Sequence, residues 1–166
     1  MSDDVTSGWF DARIVTGAHP ASLLPPTDRD AIAAHLDRYT LSGALVSAMA
    51  SWLHDPIGGN AEASAIAHDL ADRGVLACWT AVPATPGELD SLTGLVDRAV
   101  DDGVAAFRIH PASHGFSPTL LNELYDALQT NRLPLCVDAA ELAWPDGVRT
   151  DVVVAVRTRR QWGRRR

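Results

Sequence analysis

Short apolar segments alternate with amphipathic segments along most of this chain. Five apolar runs have the length and composition of buried strands, at residues 9–17, 43–49, 75–82, 105–110 and 133–138. Between these runs, apolar side chains recur every three or four residues, which is the spacing of a helix with one buried face. The pattern predicts a strand followed by a helix, repeated about every 30 residues. That order is typical of a parallel α/β sheet.

The segment at residues 103–141 shows this pattern most clearly. An apolar strand ends before Pro111, and Ser117-Pro118 then predicts a helix start, because serine caps a helix and proline is tolerated at its first position. One apolar face follows, formed by Leu120, Leu121, Leu124 and Leu128. A second strand comes soon after the helix. Two such strands joined by a helix predict a parallel, right-handed βαβ unit.

Polar side chains stand where these two strands end, and ligands of parallel α/β proteins gather at that edge of the sheet. We predict that His110 and Asp138 are catalytic candidates, the histidine to bind a substrate carboxylate or move a proton and the aspartate as a general acid or base. Glu141 follows closely and is a candidate for substrate binding. The alternative is structural, with a hydrogen-bonded histidine and carboxylates that cap helices or face solvent.

The first strand carries a charged side chain that needs a partner. Asp11, Arg13 and Val15 share one face of a regular strand, because side chains alternate with a period of two. A guanidinium that points into a protein requires a carboxylate. We therefore hypothesise that Arg13 pairs with Asp138 or Asp11, and we include Arg13 among the candidate substrate-binding residues.

Four other residues are predicted to have structural roles. His114 is expected in a surface loop, because the neighbouring proline and glycine interrupt a helix. Trp52 is expected to pack rather than to form a binding platform. Thr27 and Asn60 are predicted to cap the helices that follow them.

The composition limits the class of protein. A chain of 166 residues with 46% hydrophobic residues is expected to form one globular core. It contains no run of 18 apolar residues, and its acidic N-terminus lacks the apolar region of a secretion signal, so a cytoplasmic location is expected. Cys78 and Cys136 fall in predicted strands, where they are expected to be small core residues rather than a disulfide.

The charge is divided unevenly along the chain. All 14 basic residues are arginines, and six of them lie in the last ten residues. The preceding 156 residues hold the other 8 arginines against all 21 acidic residues, so nucleic acid is an unexpected partner for this part of the chain. Binding of a polyanion by the arginine-rich end is a further alternative.

Length alone would favour an open sheet, since five strands complete one, whereas an eight-stranded barrel typically needs about 250 residues. Neither of the common glycine-rich nucleotide-binding motifs follows a strand. Four segments point elsewhere: FDARIVTG at residues 10–17, HDPIGGN at 54–60, GVAAFRIHPASHGFSP at 103–118 and LPLCVDAAELAW at 133–144. Together they resemble the amidohydrolase-related (amidohydrolase-2) branch of the amidohydrolase superfamily.

This resemblance implies an α/β fold of the parallel (β/α) TIM-barrel type that is incomplete, with about five to six of the eight units. Residues 1–144 would form the partial barrel and residues 145–166 a divergent, arginine-rich tail, as in a truncated member of the family. Open strand edges would then favour self-association. No membrane partner is expected.

The resemblance also implies a hydrolase, or a decarboxylase, of small carboxylate or cyclic substrates. Relatives usually bind a divalent metal such as zinc, but their ligand positions fall here on Arg13, Val15 and Asp138. Arginine has no lone pair to offer and valine has no donor atom, so we predict no cofactor. The alternative is a non-catalytic, metal-free remnant or a small-molecule binding protein on the same scaffold.

Overall fold

Six parallel strands form one sheet in the computed structural model, which describes residues 8–20, 24–83, 91–138 and 141 and the backbone of 153–156. Each strand pairs with the next one along the chain. The strands are β1 (Trp9–Thr16), β2 (Leu41–Ala48), β3 (Val75–Thr80), β4 (Ala106–Ile109), β5 (Leu135–Asp138) and β6 (Val153–Val156).

The strand order distinguishes between the two architectures considered from the sequence. A doubly wound open sheet reverses direction at a switch point, whereas this order runs from β1 to β6 without reversal. Right-handed crossovers that always step in the same direction place their helices on one face and curl the sheet. The strands form a curled half-barrel in an α/β fold, which is consistent with an incomplete TIM-type barrel. The length argument for an open doubly wound sheet is therefore wrong.

In the residues that the structure describes, six α-helices connect or follow the strands. They are α1 (Arg29–Tyr39), α2 (Met49–Leu53), α3 (Pro56–Asp69), α4 (Leu92–Asp101), α5 (Pro111–His114) and α6 (Asn122–Asn131), with short 3-10 turns at Ala71–Arg73 and Pro118–Leu121. In the part of the chain that the structure describes, no helix has the length and apolar character needed to cross a membrane.

Two predicted helix caps are wrong. Asp28 rather than Thr27 caps α1, since its Oδ1 accepts a hydrogen bond from the N–H of Ala31 at 2.9 Å. Asp55 caps α3 and is followed by proline at the first helical position. Asn60 lies inside that helix, where its side chain is buried.

The two faces of the sheet have different cores. The helix-facing side packs large apolar side chains, including Val46, Phe107 and Leu124, into one cluster. The concave side holds Cys78 and Cys136 with Ala106 in a smaller cluster. Both cysteines are buried and unpaired, so the prediction that they are small core residues is confirmed.

Several predictions concern residues outside those that the structure describes. The sequence also predicts that Pro86 opens a helix, and this position lies outside the described residues, within which α4 begins at Leu92 after its cap Ser91. The proposed boundary at residue 144 and the arginine-rich tail also lie there, apart from the backbone of β6. Self-association through the open edge of β1 and a cytoplasmic location stay predictions.

Candidate functional site

A β-bulge in β1 decides which of its side chains reach the concave face. Asp11 is in register with Ala44, and Ile14 is in register with Val46, so β1 contains one extra residue over this stretch. Ala44 and Val46 both belong to the helix-facing core. The strand partners therefore place Asp11 and Ile14 on the helix side and turn Arg13 to the concave side. The prediction that Asp11 and Arg13 share a face is wrong because of this extra residue.

Asp11 stabilises the bulge rather than the site. Its Oδ1 accepts a hydrogen bond from the backbone N–H of Arg13 at 2.9 Å, and its Oδ2 lies 3.1 Å from Nε2 of His35 on α1. Both carboxylate oxygens are thus engaged on the side of the sheet that faces α1.

Arg13 and Asp138 form an ion pair across the mouth of the half-barrel. Nη1 of Arg13 lies 2.7 Å from Oδ1 of Asp138, and their side chains are only 17% and 9% exposed. Burial lowers the pKa of Arg13 below its usual value, and the charge of Asp138 opposes that change. Of the two partners considered for the Arg13 side chain, Asp138 and Asp11, the structure shows Asp138.

Arg108 is a second buried arginine beside the same carboxylate. Its Nη1 lies 3.8 Å from Oδ1 of Asp138, and its Nη2 donates a hydrogen bond of 3.0 Å to the carbonyl of Ala12, which lies in the bulge. The side chain of Arg108 is 2% exposed, and within the described chain its Nε and Nη1 atoms have no hydrogen-bond partner. A buried guanidinium therefore keeps three N–H groups without an acceptor.

The sequence reasoning did not single out Arg108, although a signal was present. Arg108 lies in an apolar strand two residues before His110, so the period of two places both side chains on the same face. A buried strand that contains an arginine indicates a nearby acid or a ligand.

His110 is buried and neutral. Its ring stacks on Trp52, with centroids 5.0 Å apart and planes 17° from parallel. Burial, followed by the charges of Arg108, His114 and Arg13, lowers the pKa of His110 to about 3. At neutral pH the imidazole is therefore uncharged. It can donate one hydrogen bond and accept another.

Two single-turn helices bring further side chains to His110. His114 ends α5, where its Nε2 hydrogen-bonds the carbonyl of Trp52 and its ring lies 5.7 Å from that of His110. Trp52 on α2 also contacts Arg13, whose guanidinium carbon lies 5.7 Å from the indole centroid. The prediction of a surface loop for His114 is wrong, because one helical turn has too few residues to show a period. Trp52 packs against His110 and Arg13, as predicted for a packing residue.

Glu141 lies close to these residues but uses its carboxylate to hold α5. One oxygen accepts hydrogen bonds from the N–H groups of Ala112 and Ser113, at 2.7 and 3.1 Å, and the other accepts from the Ser113 hydroxyl at 2.6 Å. The structure therefore gives Glu141 a positioning contact with the turn that follows His110. Substrate binding by Glu141 stays a prediction.

The side chains at the mouth do not fit a divalent metal. At the three positions where the resemblance implies metal ligands, Arg13 offers only hydrogen-bond donors, Val15 has no ligating atom, and Asp138 is already paired with Arg13. Over the described ranges, no three His, Cys, Asp or Glu side chains are grouped as metal ligands would be. The expectation of no cofactor stays a prediction, and we derive no step through a metal.

A cavity of about 330 Å³ lies along the open edge of β1. Arg13 and Val15 line one side of it, and Thr27 and His35 line the other. A second cavity, of about 420 Å³, lies between α3 and α4 on the helix side of the sheet and is lined mainly by apolar side chains. The first cavity is therefore bordered by Arg13 and by α1, and its lining includes neither Asp138 nor Arg108. The second cavity is separate from both arginines.

The sequence matches no protein-family model, and it matches no curated protein. The fold is similar to that of a probable 2-pyrone-4,6-dicarboxylic acid hydrolase from Acinetobacter baumannii with citric acid bound, at 12% identity and a TM-score of 0.52, over 80% of this chain and 49% of that chain. A chitinase from Chromobacterium violaceum ATCC 12472 aligns at 15% identity, over 80% of this chain and 45% of that chain, but its TM-score of 0.39 carries no argument.

This chain thus spans about half the length of the solved structures it aligns with. At 12% identity, the likeness to the hydrolase shows a shared fold. The class defined by the fold is an α/β half-barrel, consistent with an incomplete TIM-type barrel.

Proposed function

We propose that the concave mouth binds a small carboxylate, and that the protein is a hydrolase-type enzyme that acts on such a compound or on a cyclic ester of it. The observation that carries this proposal is the buried guanidinium of Arg108, with Nε and Nη1 unpartnered in the described structure. Each unsatisfied buried donor costs about 1–3 kcal/mol. A ligand carboxylate would supply acceptors of the right charge at that place.

The position of the two guanidinium groups supports an anion as the ligand. Arg13 and Arg108 both approach one oxygen of Asp138, so two guanidinium groups share one carboxylate. The nearby carboxylate of Glu141 also acts on Arg13 through its charge, but its hydrogen bonds go to the uncharged groups of α5. Arginine is also the side chain best suited to hold carboxylates, because its planar group presents several donors.

The other side chains have compatible roles in hydrolysis. Asp138, held by Arg13, is placed to take a proton from water that attacks a substrate carbonyl. Neutral His110 can donate a hydrogen bond to the carbonyl oxygen as negative charge develops there. The fold likeness to a probable hydrolase of a dicarboxylic acid supports this class of reaction.

The test is calorimetric titration of the full chain with benzoate, together with hydrolysis assays on a panel of lactones and aromatic esters. We expect saturable binding that Arg108→Met weakens by at least about tenfold. Arg29→Met is the matched control, because Arg29 is an exposed arginine whose ion pair is with its neighbour Asp30. It should bind as the parent does.

Three results separate the candidates. Binding with turnover that depends on Asp138 supports the hydrolase. Binding without turnover on any compound favours the second candidate, a metal-free binding protein on the same scaffold, which the weak basicity of His110 also favours. No binding of small carboxylates, or equal binding by Arg108→Met, contradicts the proposal.

A further inference from the structure

Asp138 occupies the space between the two arginines of the site. Its Oδ1 lies 2.7 Å from Nη1 of Arg13 and 3.8 Å from Nη1 of Arg108. The side chain of Asp138 is 9% exposed, so water screens its charge weakly. The protein thus already places one carboxylate where two guanidinium groups converge.

The charged donors recorded without a hydrogen-bond partner in the described chain are on Arg108. Nε and Nη1 of Arg108 lack a partner in the described part of the chain, and they can serve one further carboxylate. A second carboxylate on the same ligand would have to reach Arg13, whose Nη1 is bound to Asp138. It would then face the negative charge of Asp138 at close range, and such like-charge contacts disfavour a ligand strongly.

The other two acidic side chains near β1 and α5, Asp11 and Glu141, do not contact both arginines. Both oxygens of Glu141 accept hydrogen bonds from the turn at residues 112–113. Asp11 is turned to the helix side, where it contacts His35. Among the described carboxylates, Asp138 is therefore the one that contacts both arginines.

We propose that Asp138 determines the charge of the ligand, by taking the place of a second ligand carboxylate and restricting the site to compounds with a single carboxylate. This inference rests on the proposed function, since it requires that a carboxylate binds at Arg108. Beyond the proposed function, it specifies which carboxylates the site accepts and which residue selects them.

The test compares ligands with one ring and different charges, by calorimetric titration of the full chain. Benzoate has one carboxylate, isophthalate has two, and 3-carbamoylbenzoate has the shape of isophthalate with one carboxylate replaced by an uncharged amide. We expect the parent protein to bind benzoate and 3-carbamoylbenzoate at least about tenfold more tightly than isophthalate.

Asp138→Asn keeps the shape of the side chain and removes its charge. We expect isophthalate to gain at least about tenfold in affinity for this variant, while benzoate changes less. Circular dichroism melting checks that the variant folds. If it does not fold, the comparison of isophthalate with 3-carbamoylbenzoate on the parent protein still tests the charge.

The possible failures differ from one another. If the parent binds none of the three compounds, the proposed function fails and this inference fails with it. If the parent binds benzoate but does not distinguish isophthalate from 3-carbamoylbenzoate, the inference alone is overturned. The same holds if folded Asp138→Asn loses affinity for every compound, since Asp138 would then serve to hold the arginines in place.

Discussion

The two faces of β4 are equally buried and chemically opposite. Phe107 and Ile109 are fully buried against the helices, while Arg108 and His110 are each 2% exposed on the concave side. Burial of the first pair removes apolar surface from water and stabilises the fold. Burial of the second pair leaves polar atoms without partners in the described chain, at Arg108 Nε and Nη1 and at His110 Nδ1. The helix-facing side therefore contributes stability, and the concave side has a cost that the proposed binding of a ligand would explain.

Phe107→Ala should have the largest effect on stability. It removes an aromatic side chain that is fully buried in the helix-facing core, so the free energy of unfolding should fall by about 3–5 kcal/mol. Urea denaturation measures this change. Leu120→Ala, at a 60% exposed leucine, is the control and should change it by less than about 0.5 kcal/mol. A loss below about 1 kcal/mol in Phe107→Ala would remove the distinction between the two faces.

The pH dependence of stability should show the cost of burying His110. Its pKa falls from 6.5 to about 3 on folding, so the unfolded chain binds more protons between these values. The contribution of neutral His110 to the free energy of unfolding is therefore fully present above about pH 6.5. It is lost as the pH falls toward 3. Between pH 6.5 and 4.5 the loss from this group should be on the order of 2–3 kcal/mol.

Urea denaturation across that pH range measures the loss, and His110→Gln should make the profile flatter. His68→Gln is the control, since the side chain of His68 is 90% exposed, and it should keep the slope of the parent protein. Equal slopes for the parent and His110→Gln would show that His110 is not buried as described.

Arg108→Met should have opposite effects on binding and on stability. Affinity for benzoate should fall at least about tenfold, because the unpartnered donors are lost. The free energy of unfolding should stay the same or rise by about 1 kcal/mol, since Asp138 keeps Arg13 as its partner and a buried charge is replaced by an apolar side chain. Urea denaturation and calorimetry measure both. A fall in stability above about 2 kcal/mol, with binding retained, would assign Arg108 to structure.

Glu141→Gln should have the smallest effect. The amide keeps the shape of the side chain but weakens the three hydrogen bonds that hold α5, so stability should fall by about 1 kcal/mol. Benzoate affinity should fall by less than about threefold. The cause of this small loss is that the turn next to His110 becomes less fixed. Loss of binding at unchanged stability would instead support the substrate contact predicted from the sequence.

The strand–helix rhythm could be predicted because it depends on local patterns. The Arg13–Asp138 pair joins residues 125 apart, and it could be named as one of two pairings because both residues were expected at one mouth of a parallel sheet. Buried strands appear as apolar runs, and a charged residue in such a run needs an opposite charge. The bulge at Ala12 could not be predicted, because it exists only relative to the register of β2. It also supplies the carbonyl that holds Arg108. Most of the site therefore depends on a feature of strand pairing.

Asn60 shows a different limit. Its polar side chain suggested a cap, although Pro56 after Asp55 was the better signal of a helix start. In the structure, Asn60 exchanges two hydrogen bonds with the backbone of Thr80, at 2.9 and 2.8 Å. That contact joins α3 to the end of β3 across 20 residues of sequence, and no local spacing could reveal it.

The most direct test of the account is an NMR titration that follows the Nε–H resonance of Arg108 while benzoate is added to the full chain. We expect this resonance to shift with saturation and to exchange more slowly with water, because a ligand carboxylate becomes the missing acceptor. The Nε–H resonance of exposed Arg29 should stay in place. An Arg108 resonance that does not respond to saturating carboxylate would contradict the claim that the concave face is a binding site.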